Sequence, residues 1–265
     1  MKELALEMVK KIQLDILNFV VEFCNKNDIN YFMTAGTLLG AIRHNGFIPW
    51  DDDIDIGMLR ADYDKFKELF NKYKNNENYK FLCNEDDMGH MYSFGKVINT
   101  KTILYELNQK NNITGVFVDI FVYDNAPDDN VELKKMYRIR DWNYRFIAIK
   151  QIKSESNFKK LLKGLINIIL LPFSIDYFVK KNIKNCQKFK NKDTKRIGDF
   201  SGSCNIAVNK QTFSEYVYKE FEGKKYKVPI GYDELLRAFY GDYMEIPPIE
   251  KRVAHHNFKA YFLEK

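Results

Sequence analysis

The chain begins with a pattern of apolar and polar positions that predicts a helix, a strand and a second helix. Apolar side chains recur at helical spacing through residues 3–26, with lysines and glutamates between them, so an amphipathic helix is expected. Residues 29–33 predict a strand that runs into Gly36. Thr37 is placed to cap a short helix that ends near Arg43.

Several strands and one helix are predicted between residues 53 and 122. Residues 53–56 alternate aspartate with isoleucine at the two-residue period of a strand, and residues 62–73 follow as a helix. Further strands are expected at residue 81 and at residues 94–98, 103–107 and 116–122.

The second half of the chain is predicted to be mainly helical. Its helices are expected at residues 130–150, 158–192, 213–221 and 233–240, with a short strand at 224–228. Gly241 ends the last helix. This mixture of elements indicates an α/β fold of the α+β type. The expected division is a core at 1–128, a basic helical segment at 129–198 and an α/β part at 199–265 that completes the site.

Composition and charge describe a globular protein with two differently charged parts. It has 265 residues, 45% of them hydrophobic and 29% charged, which allows a sizeable core and is unlike a disordered chain. Residues 134–196 hold 18 basic and four acidic side chains, a net charge of +14. Because the whole chain carries +6, the remainder carries −8. The two parts are therefore expected to have different roles.

Cysteine spacing and the first residues both favour a cytoplasmic protein. The cysteines form no C-x-x-C pair, so neither a zinc site nor a disulfide framework is predicted. They are Cys24, Cys83, Cys186 and Cys204, and all are expected to be reduced and buried. The first residues mix acids with bases and lack the apolar core of a signal peptide.

An acidic cluster is the most informative feature of the sequence. Asp51, Asp52, Asp53 and Asp55 lie close together, and strand periodicity places Asp53 and Asp55 on one face. Two carboxylates about 4 Å apart repel by roughly 4 kcal/mol at an effective dielectric near 20, so a cation or a shared proton has to compensate them. Carboxylate oxygens suit Mg²⁺ or Mn²⁺, which would keep coordination positions open for phosphate and water.

Two structural alternatives for the acidic cluster are weaker. A solvated acidic turn would not interleave aspartate with isoleucine so regularly. A calcium loop would use Asp51, Asp53 and Asp55 as its first ligands, but its sixth position requires glycine and is Ile56 here. The cluster is therefore interpreted as a magnesium or manganese site.

Three further features fit a phosphate-binding metal site. Asp119 lies in the apolar run 116–122, where its charge needs a partner such as the metal; a strand-end aspartate bonded to a loop amide is the alternative. Gly36-Thr37 lies between a strand and a helix, where glycine lets phosphate approach the backbone and the helix N-terminus supplies N–H donors. Arg43 could reach a phosphate with its planar guanidinium or form a surface ion pair.

These motifs resemble the signature of the LicD family, named for bacterial phosphocholine transferases and similar to fukutin and fukutin-related protein. The first patch is highly specific and comprises GTLLGAIRH at 36–44 and GFIPWDDDIDI at 46–56. The second is VDIF at 118–121 with Asp124. A third, moderately specific patch comprises residues 221–223, Pro229, 232–233, 240–244, 247–248 and His255 or His256. The resemblance therefore covers nearly the whole chain.

The resemblance implies a polymerase-β-like nucleotidyltransferase core, with a mixed sheet flanked by helices and a basic helical appendage. It also implies transfer of a phosphocholine-like group from CDP-choline, or a similar CDP-linked donor, to a hydroxyl of a glycan such as teichoic acid or lipopolysaccharide. Asp53, Asp55 and Asp119 are expected to be catalytic and to bind the metal, with Asp119 either a ligand or the base. Thr37 stands where the wider superfamily usually has Ser or Gly.

A choline-bearing donor would need an aromatic cage, because quaternary ammonium groups bind ring faces. Trp50 is the first candidate, since it lies beside the acids, and Trp142 and Tyr232 are weaker ones. Core packing is the alternative for each ring. Glu222 and Asp233 could supply negative charge near the ammonium. No cysteine cluster matches the zinc-binding insert of fukutin-related protein, so no zinc is predicted.

The basic segment contains an apolar stretch with two interpretations. Residues 161–179 are apolar and bracketed by lysines, but Lys163, Pro172 and Asp176 interrupt them, which disfavours a transmembrane span. An interfacial helix within 158–192 beside anionic lipid fits, and so does a core helix pair with a solvated basic face. The first would place a cytoplasmic enzyme at the inner face of the membrane, near a lipid-linked glycan. Nucleic-acid binding is not expected.

Other functions stay open from the sequence. Within the enzyme class, the donor could carry ribitol phosphate, glycerol phosphate or an aminoethyl phosphonate, or the reaction could be nucleotidyl transfer from an NTP. Outside that class, the chain could be a non-catalytic metal-binding glycan adaptor. The presence of all three candidate acids disfavours the adaptor.

Overall fold

The fold combines helices with a mixed sheet, in a computed structural model that describes residues 2–73, 77–84, 90–107, 113–151, 166, 168, 170–254 and 257–263. The helices are α1 (Leu6–Lys26), α2 (Ala35–Arg43), α3 (Arg60–Lys72), α4 (Asn130–Gln151), α5 (Ile175–Cys186) and α6 (Tyr232–Tyr240). The strands are β1 (Phe32–Met33), β2 (Asp55–Leu59), β3 (Tyr79–Leu82), β4 (Gly95–Asn99), β5 (Thr102–Glu106), β6 (Ile113–Thr114), β7 (Phe117–Ala126), β8 (Arg196–Asp199), β9 (Ile206–Asn209), β10 (Tyr216–Phe221), β11 (Lys224–Pro229) and β12 (Phe258–Phe262). The predicted α+β class is confirmed.

Strand β7 is the centre of the main sheet. The strand order is β1-β2-β7-β4-β3, and β8 and β9 continue from β7. β2 runs parallel to β7 and β4 runs antiparallel to it, so the sheet is mixed. At ten residues, β7 is long enough to pair with β4 near its start and with β8 at its end. Asp119, near the start of β7, therefore has a neighbouring strand on each side.

Side-chain alternation on β2 and β7 separates an apolar core from a charged face. Ile56 on β2 and Val118 and Ile120 on β7 are buried in the main hydrophobic cluster. Helix α1 packs on β4 and β7 and adds its own buried positions, among them Ile16 and Val20. The residues that alternate with them along each strand point to the other face of the sheet, where the aspartates lie.

The helix predicted at 213–221 is wrong, because Tyr216–Phe221 forms a strand paired with Lys224–Pro229. Glu222 and Gly223 make the connecting turn with positive φ values of 50° and 74°, which a two-residue hairpin turn requires. The tyrosines, valine and phenylalanine of β10 also favour strand. The resulting hairpin packs against β1 and α2.

The continuous helix predicted at 158–192 is also wrong within the described residues. α5 begins only at Ile175, where the Ser174 side chain accepts a 3.0 Å hydrogen bond from the backbone N–H of Tyr177. It ends at Cys186, and residues 152–165, 167 and 169 lie outside the described part of the chain. α5 packs against α4 as a helix pair with its own small apolar core. No helix among the described residues is both long and apolar enough to cross a bilayer.

Candidate active site

Three charged side chains form a row across the centre of the sheet. Asp55 on β2 is the register partner of Asp119 on β7, and Asp119 is in turn the register partner of Lys96 on β4. Directly opposite residues place their side chains on the same face of a sheet. The Nζ atom of Lys96 donates to Oδ1 of Asp119 at 2.6 Å, and both side chains are buried. Asp119, the third predicted acid, therefore lies beside Asp55, and Lys96 lies on its other side.

Asp53 lies in the segment that leads into β2 and adds a third carboxylate to this row. Oxygens of Asp53, Asp55 and Asp119 lie within 4.8 Å of one another, so one ion could contact all three. A second group with the same spacing joins Asp51, Asp52 and Asp53. The structure thus brings together the three carboxylates that the sequence suggested as metal ligands.

The start of α2 holds this acidic segment in place. α2 begins at Ala35, so Thr37 lies within the helix and its predicted capping role is wrong. The Thr37 hydroxyl oxygen instead accepts a 2.8 Å hydrogen bond from the backbone N–H of Asp55. Gly36 leaves room for Asp51, because a Cβ at this glycine would lie 2.4 Å from Oδ2 of that carboxylate. Both residues of the Gly-Thr pair therefore help to position the acidic segment.

Burial and mutual repulsion make the carboxylates costly to ionise without a positive partner. Burial, and then the charges of Asp53 and Asp119, raise the pKa of Asp55 well above its ordinary value. Burial and the neighbouring Asp53 raise the pKa of Asp51 to about 7. Burial lowers the pKa of Lys96, but the nearby Asp119 carboxylate has a larger effect in the opposite direction, so the pKa of Lys96 is raised overall. A bound cation or proton would relieve the repulsion.

The ligand atoms fit a hard divalent cation. Oδ1 of Asp55 is buried and accepts no hydrogen bond from any residue in the described ranges. An unmatched buried carboxylate oxygen is costly, and a metal ion is one way to satisfy it. Three carboxylates within reach of one ion are the oxygen ligands that Mg²⁺ and Mn²⁺ prefer.

Two cavities meet at Asp53 and Asp55, which line both of them. The first, named here the α2 cavity, has a volume of about 340 Å³ and is also lined by Gly36, Arg43, Trp50, Tyr240, Tyr243 and Lys251. The second, the aromatic cavity, has a volume of about 550 Å³ and is also lined by Tyr92, Phe94, Phe121, Asp141, Tyr144 and Arg145. A molecule in either cavity therefore reaches the same pair of carboxylates.

Arg43 and Trp50 line the α2 cavity as binding residues would, but both also contact other parts of the chain. Nη1 of Arg43 donates to the carbonyl oxygens of Tyr243 at 2.6 Å and Glu245 at 3.2 Å, so the predicted alternative of a surface ion pair does not describe this contact. These bonds tie α2 to the C-terminal part of the chain. The guanidinium of Arg252 lies 5.4 Å from the Trp50 ring centroid.

Glu222, Tyr232 and Asp233, which were also predicted to bind the donor, line neither of these two cavities. The Glu222 carboxylate accepts a 3.0 Å hydrogen bond from the backbone N–H of Phe47, across the turn at 45–47. Asp233 accepts a 2.8 Å hydrogen bond from the hydroxyl of Tyr243, which itself lines the α2 cavity. Tyr232 begins α6. Donor binding by Glu222, Tyr232 and Asp233 therefore stays a prediction that rests on the resemblance.

Lys96 is a site residue that the sequence analysis missed. Like Asp119, Lys96 lies in a strand of mainly apolar residues, where a buried charge needs a partner of opposite sign. The sequence analysis could have identified Lys96 by asking which basic residue on a neighbouring predicted strand could pair with Asp119. Asp141, Tyr144 and Arg145 were also missed, because nothing local in α4 indicates that this helix borders the acidic row.

The sequence of this chain is similar to those of known proteins. A family model described as LicD/FKTN/FKRP, nucleotidyltransferase domain, matches residues 28–155, which include Asp53, Asp55 and Asp119. The chain is 33% identical over 270 residues to the lipopolysaccharide cholinephosphotransferase LicD of Haemophilus influenzae, covering 99% of this chain and 100% of that protein.

Two other relatives match over shorter stretches. An uncharacterized protein of Rickettsia typhi is 44% identical over 135 residues, which is 48% of this chain and 38% of that protein. The human ribitol 5-phosphate transferase FKRP is 37% identical over 51 residues, which is 19% of this chain and 10% of that protein. Of these three relatives, the Haemophilus protein matches along nearly the whole of both chains.

Proposed function

The chain belongs to the LicD family, and we propose that it is a metal-dependent phosphotransferase that moves a phosphocholine-like group from a CDP-activated donor to a glycan hydroxyl. The relative that matches along its full length is named a lipopolysaccharide cholinephosphotransferase, which supports choline phosphate as the transferred group. The same name supports a cell-surface glycan as the acceptor. The CDP-linked donor follows from the family resemblance.

The convergence of Asp53, Asp55 and Asp119 where two cavities meet carries this proposal. A transferase has to bring two substrates to one reacting centre. Here both cavities share Asp53 and Asp55, so a donor in one and an acceptor in the other could meet at the carboxylates. A glycan adaptor would need only one of these cavities, which makes that alternative the weaker one.

Asp53, Asp55 and Asp119 would hold the Mg²⁺ or Mn²⁺ ion. When bound, such an ion would neutralise negative charge on the donor's diphosphate and on the departing CMP. The chain's own contribution is to keep these carboxylates in place. Thr37 holds the backbone of Asp55, and Lys96 holds the side chain of Asp119.

Asp119 is better suited to binding the metal than to acting as a base. Its Oδ1 already accepts a 2.6 Å hydrogen bond from the buried Lys96, which fixes it as an acceptor. In the transfer, the acceptor oxygen bonds to the donor phosphorus as the bond from phosphorus to the CMP oxygen breaks. The hydroxyl proton passes to water, since phosphoryl transfer relies more on positioning than on a strong base.

The α2 cavity has the chemistry of the donor site. It lies over the first turn of α2 at Ala35 and Gly36, where the Thr34 side chain makes no capping hydrogen bond and the first N–H groups of a helix favour phosphate. Arg43 and Lys251 add positive charge to its lining. The Trp50 ring offers an apolar surface to the rest of the nucleotide.

A polyol phosphate, such as ribitol phosphate, is the second candidate for the transferred group. Each ring predicted to bind choline has a cation of this chain near its face, and a second cation there would be repelled. The ring and cation pairs are Trp50 with Arg252, Trp142 with Arg145 and Tyr232 with Lys219, at 5.4, 5.3 and 5.0 Å. The similarity to ribitol 5-phosphate transferase favours the same alternative.

Calorimetric titration of CDP-choline, CDP-ribitol, CDP-glycerol and CTP in the presence of Mg²⁺ would test the proposal and identify the donor. We expect a CDP-linked donor to bind and to release CMP when a glycan acceptor is added. Preferential binding of CTP with release of pyrophosphate would show nucleotidyl transfer instead. Failure of every nucleotide to bind would contradict the proposed function.

The substitution Asp55→Asn is the matching test of the site. It should lower turnover by roughly 100-fold or more, as expected when a preorganised electrostatic contact to the reacting phosphate is lost. Asp15→Asn, which removes an exposed carboxylate from α1, should leave turnover unchanged. Turnover like that of the wild type in the Asp55 variant would exclude this site.

A further inference from the structure

We propose that the aromatic cavity is the acceptor subsite and that it binds a neutral pyranose unit of the glycan. This inference rests on the proposed function, because it assigns the second substrate of that reaction. The α2 cavity holds the features suited to a diphosphate, which leaves the aromatic cavity for the acceptor. A sugar hydroxyl there would lie next to Asp53 and Asp55, which line both cavities.

Three neighbouring rings give this cavity an apolar wall. Tyr92 and Phe94 are stacked with their centroids 4.9 Å apart, and Phe94 lies 4.5 Å from Phe121. All three line the cavity. The C–H groups of a pyranose ring are apolar and carry slight positive charge, so they pack well against the negative faces of aromatic rings.

Helix α4 supplies polar groups opposite this wall, and one of them is firmly held. Asp141 and Arg145 lie one helical turn apart and both line the cavity. The carboxylate of Asp141 accepts hydrogen bonds from Nε and Nη2 of Arg140, at 3.0 and 2.8 Å. Arg140 is buried and also donates to the carbonyl of Cys204 and to Oδ1 of Asn205.

This arrangement suits sugar hydroxyls. Because Arg140 fixes the position of Asp141, the carboxylate is a preorganised acceptor for a hydroxyl, and Arg145 is a donor beside it. The cavity volume of about 550 Å³ falls in the range of about 300–1,000 Å³ that is usual for small-molecule sites.

Lys96 argues for a neutral occupant over a quaternary ammonium. Its Nζ lies 3.5 Å from the centroid of the Phe117 ring and 4.8 Å from that of Tyr92. The chain's own ammonium therefore already occupies a face of each of these two rings, which leaves them poorly placed to bind a choline headgroup. A pyranose unit carries no charge and does not compete with Lys96 for these faces.

Filling the cavity from α4 gives the direct test. Ala148 lines the aromatic cavity and is only half-buried, so Ala148→Trp should occupy the cavity without entering the main core. Saturation-transfer NMR with the methyl glycosides of glucose, galactose and N-acetylglucosamine would report binding without any nucleotide donor. We expect signal from at least one glycoside with the wild type, and its loss in Ala148→Trp.

Three further variants separate blocked binding from misfolding and from loss of the donor site. Val131→Trp, which adds the same bulk at an exposed position at the start of α4, should keep the wild-type glycoside signal. Arg145→Ala should weaken the signal at least several-fold, since Arg145 is exposed and its removal does not fill the cavity. The reciprocal variant Lys251→Glu, in the α2 cavity, should weaken donor binding and leave the glycoside signal unchanged.

The outcomes distinguish this inference from the proposed function. Retained glycoside signal in Ala148→Trp, displacement of the glycoside by CMP, or no signal from any glycoside with the wild type would overturn the acceptor assignment. Failure of the wild type to bind any CDP-linked donor would instead count against the proposed function. Loss of donor binding in Ala148→Trp, with normal thermal unfolding, would show that the donor occupies the aromatic cavity.

Discussion

Lys96 and Asp119 lie opposite each other on β4 and β7, and their charged atoms are 2.6 Å apart beneath the acidic site. Their side chains are only 4% and 6% exposed, so water screens the pair very little. Burying two charges costs much of what their attraction returns, whereas removing one partner leaves the other charge poorly compensated. The pair therefore acts mainly to keep Asp119 ionised and in place beside Asp55.

Lys96→Met should destabilise the protein most when no divalent ion is present. Breaking a buried ion pair costs about 3–5 kcal/mol, and here it would also increase the repulsion among the three carboxylates. Mg²⁺ should restore part of the loss, because it neutralises the same charges. Urea unfolding with and without Mg²⁺ measures this, with Lys96→Arg as the control that keeps the charge. An equal loss under both conditions would show that Lys96 and the ion act independently.

Thr37→Val should loosen the segment that carries Asp55. The substitution keeps the side-chain shape but removes the oxygen that accepts from the buried N–H of Asp55. Leaving that donor unsatisfied should cost about 1–3 kcal/mol of unfolding free energy. Thr37→Ser keeps the acceptor and should retain most of the stability and activity. Equal effects of the two substitutions would show that the hydroxyl is unimportant.

The metal-free protein should lose stability as pH rises. Burial and the nearby carboxylates raise the pKa values of Asp51, to about 7, and of Asp55. A carboxyl group whose pKa is higher in the folded state binds its proton more tightly there, so its contribution is complete below the unfolded pKa of about 4. That contribution is lost as pH rises through about 7.

Divalent ions should reverse this loss, because they replace the protons. The rise in melting temperature caused by Mg²⁺ or Mn²⁺ should therefore be larger at pH 8 than at pH 5, because these two pH values lie on either side of the Asp51 pKa of about 7. Differential scanning calorimetry measures it, and Asp55→Asn should show a much smaller ion effect. A constant ion effect across this range would contradict proton displacement at the site.

The exposed apolar residues that precede α5 should promote binding to anionic membranes. Leu171 and Phe173 are 73% and 39% exposed, and α5 carries several lysines. The double substitution Leu171→Glu with Phe173→Glu should reduce flotation with vesicles that contain phosphatidylglycerol. Val131→Glu is the matched control, because Val131 is 76% exposed at the start of α4. Failure of the wild type to bind such vesicles would remove the membrane interpretation.

The sequence predicted those parts of the fold that depend on short-range pattern. The amphipathic helix predicted at 3–26 is observed at Leu6–Lys26, and the apolar run predicted as a strand at 116–122 lies mostly within the strand Phe117–Ala126. The predicted end of the last helix at Gly241, which has a positive φ of 66°, is also confirmed. β10 was wrongly predicted as a helix because a six-residue segment has too few apolar residues to distinguish the periodicity of a strand from that of a helix. Its turn at Glu222 and Gly223 was the better signal.

The acidic centre was predictable, but the walls of its cavities were not. The spacing of Asp53 and Asp55 and the lone charge of Asp119 were enough to suggest their convergence, which the structure shows. That Asp141 on α4 borders this site depends on how α4 packs, which no local pattern encodes. Thr37 was correctly placed near the start of α2 but wrongly given a capping role, because the helix begins at Ala35, three residues earlier than a cap at Thr37 would require.

Anomalous diffraction from a crystal soaked with Mn²⁺ and CDP-choline would test the central claim most directly. We predict a manganese peak in contact with oxygens of Asp53, Asp55 and Asp119, next to the donor's diphosphate, and no peak in an Asp55→Asn crystal. A peak at another location, or a diphosphate bound away from these three carboxylates, would contradict the account.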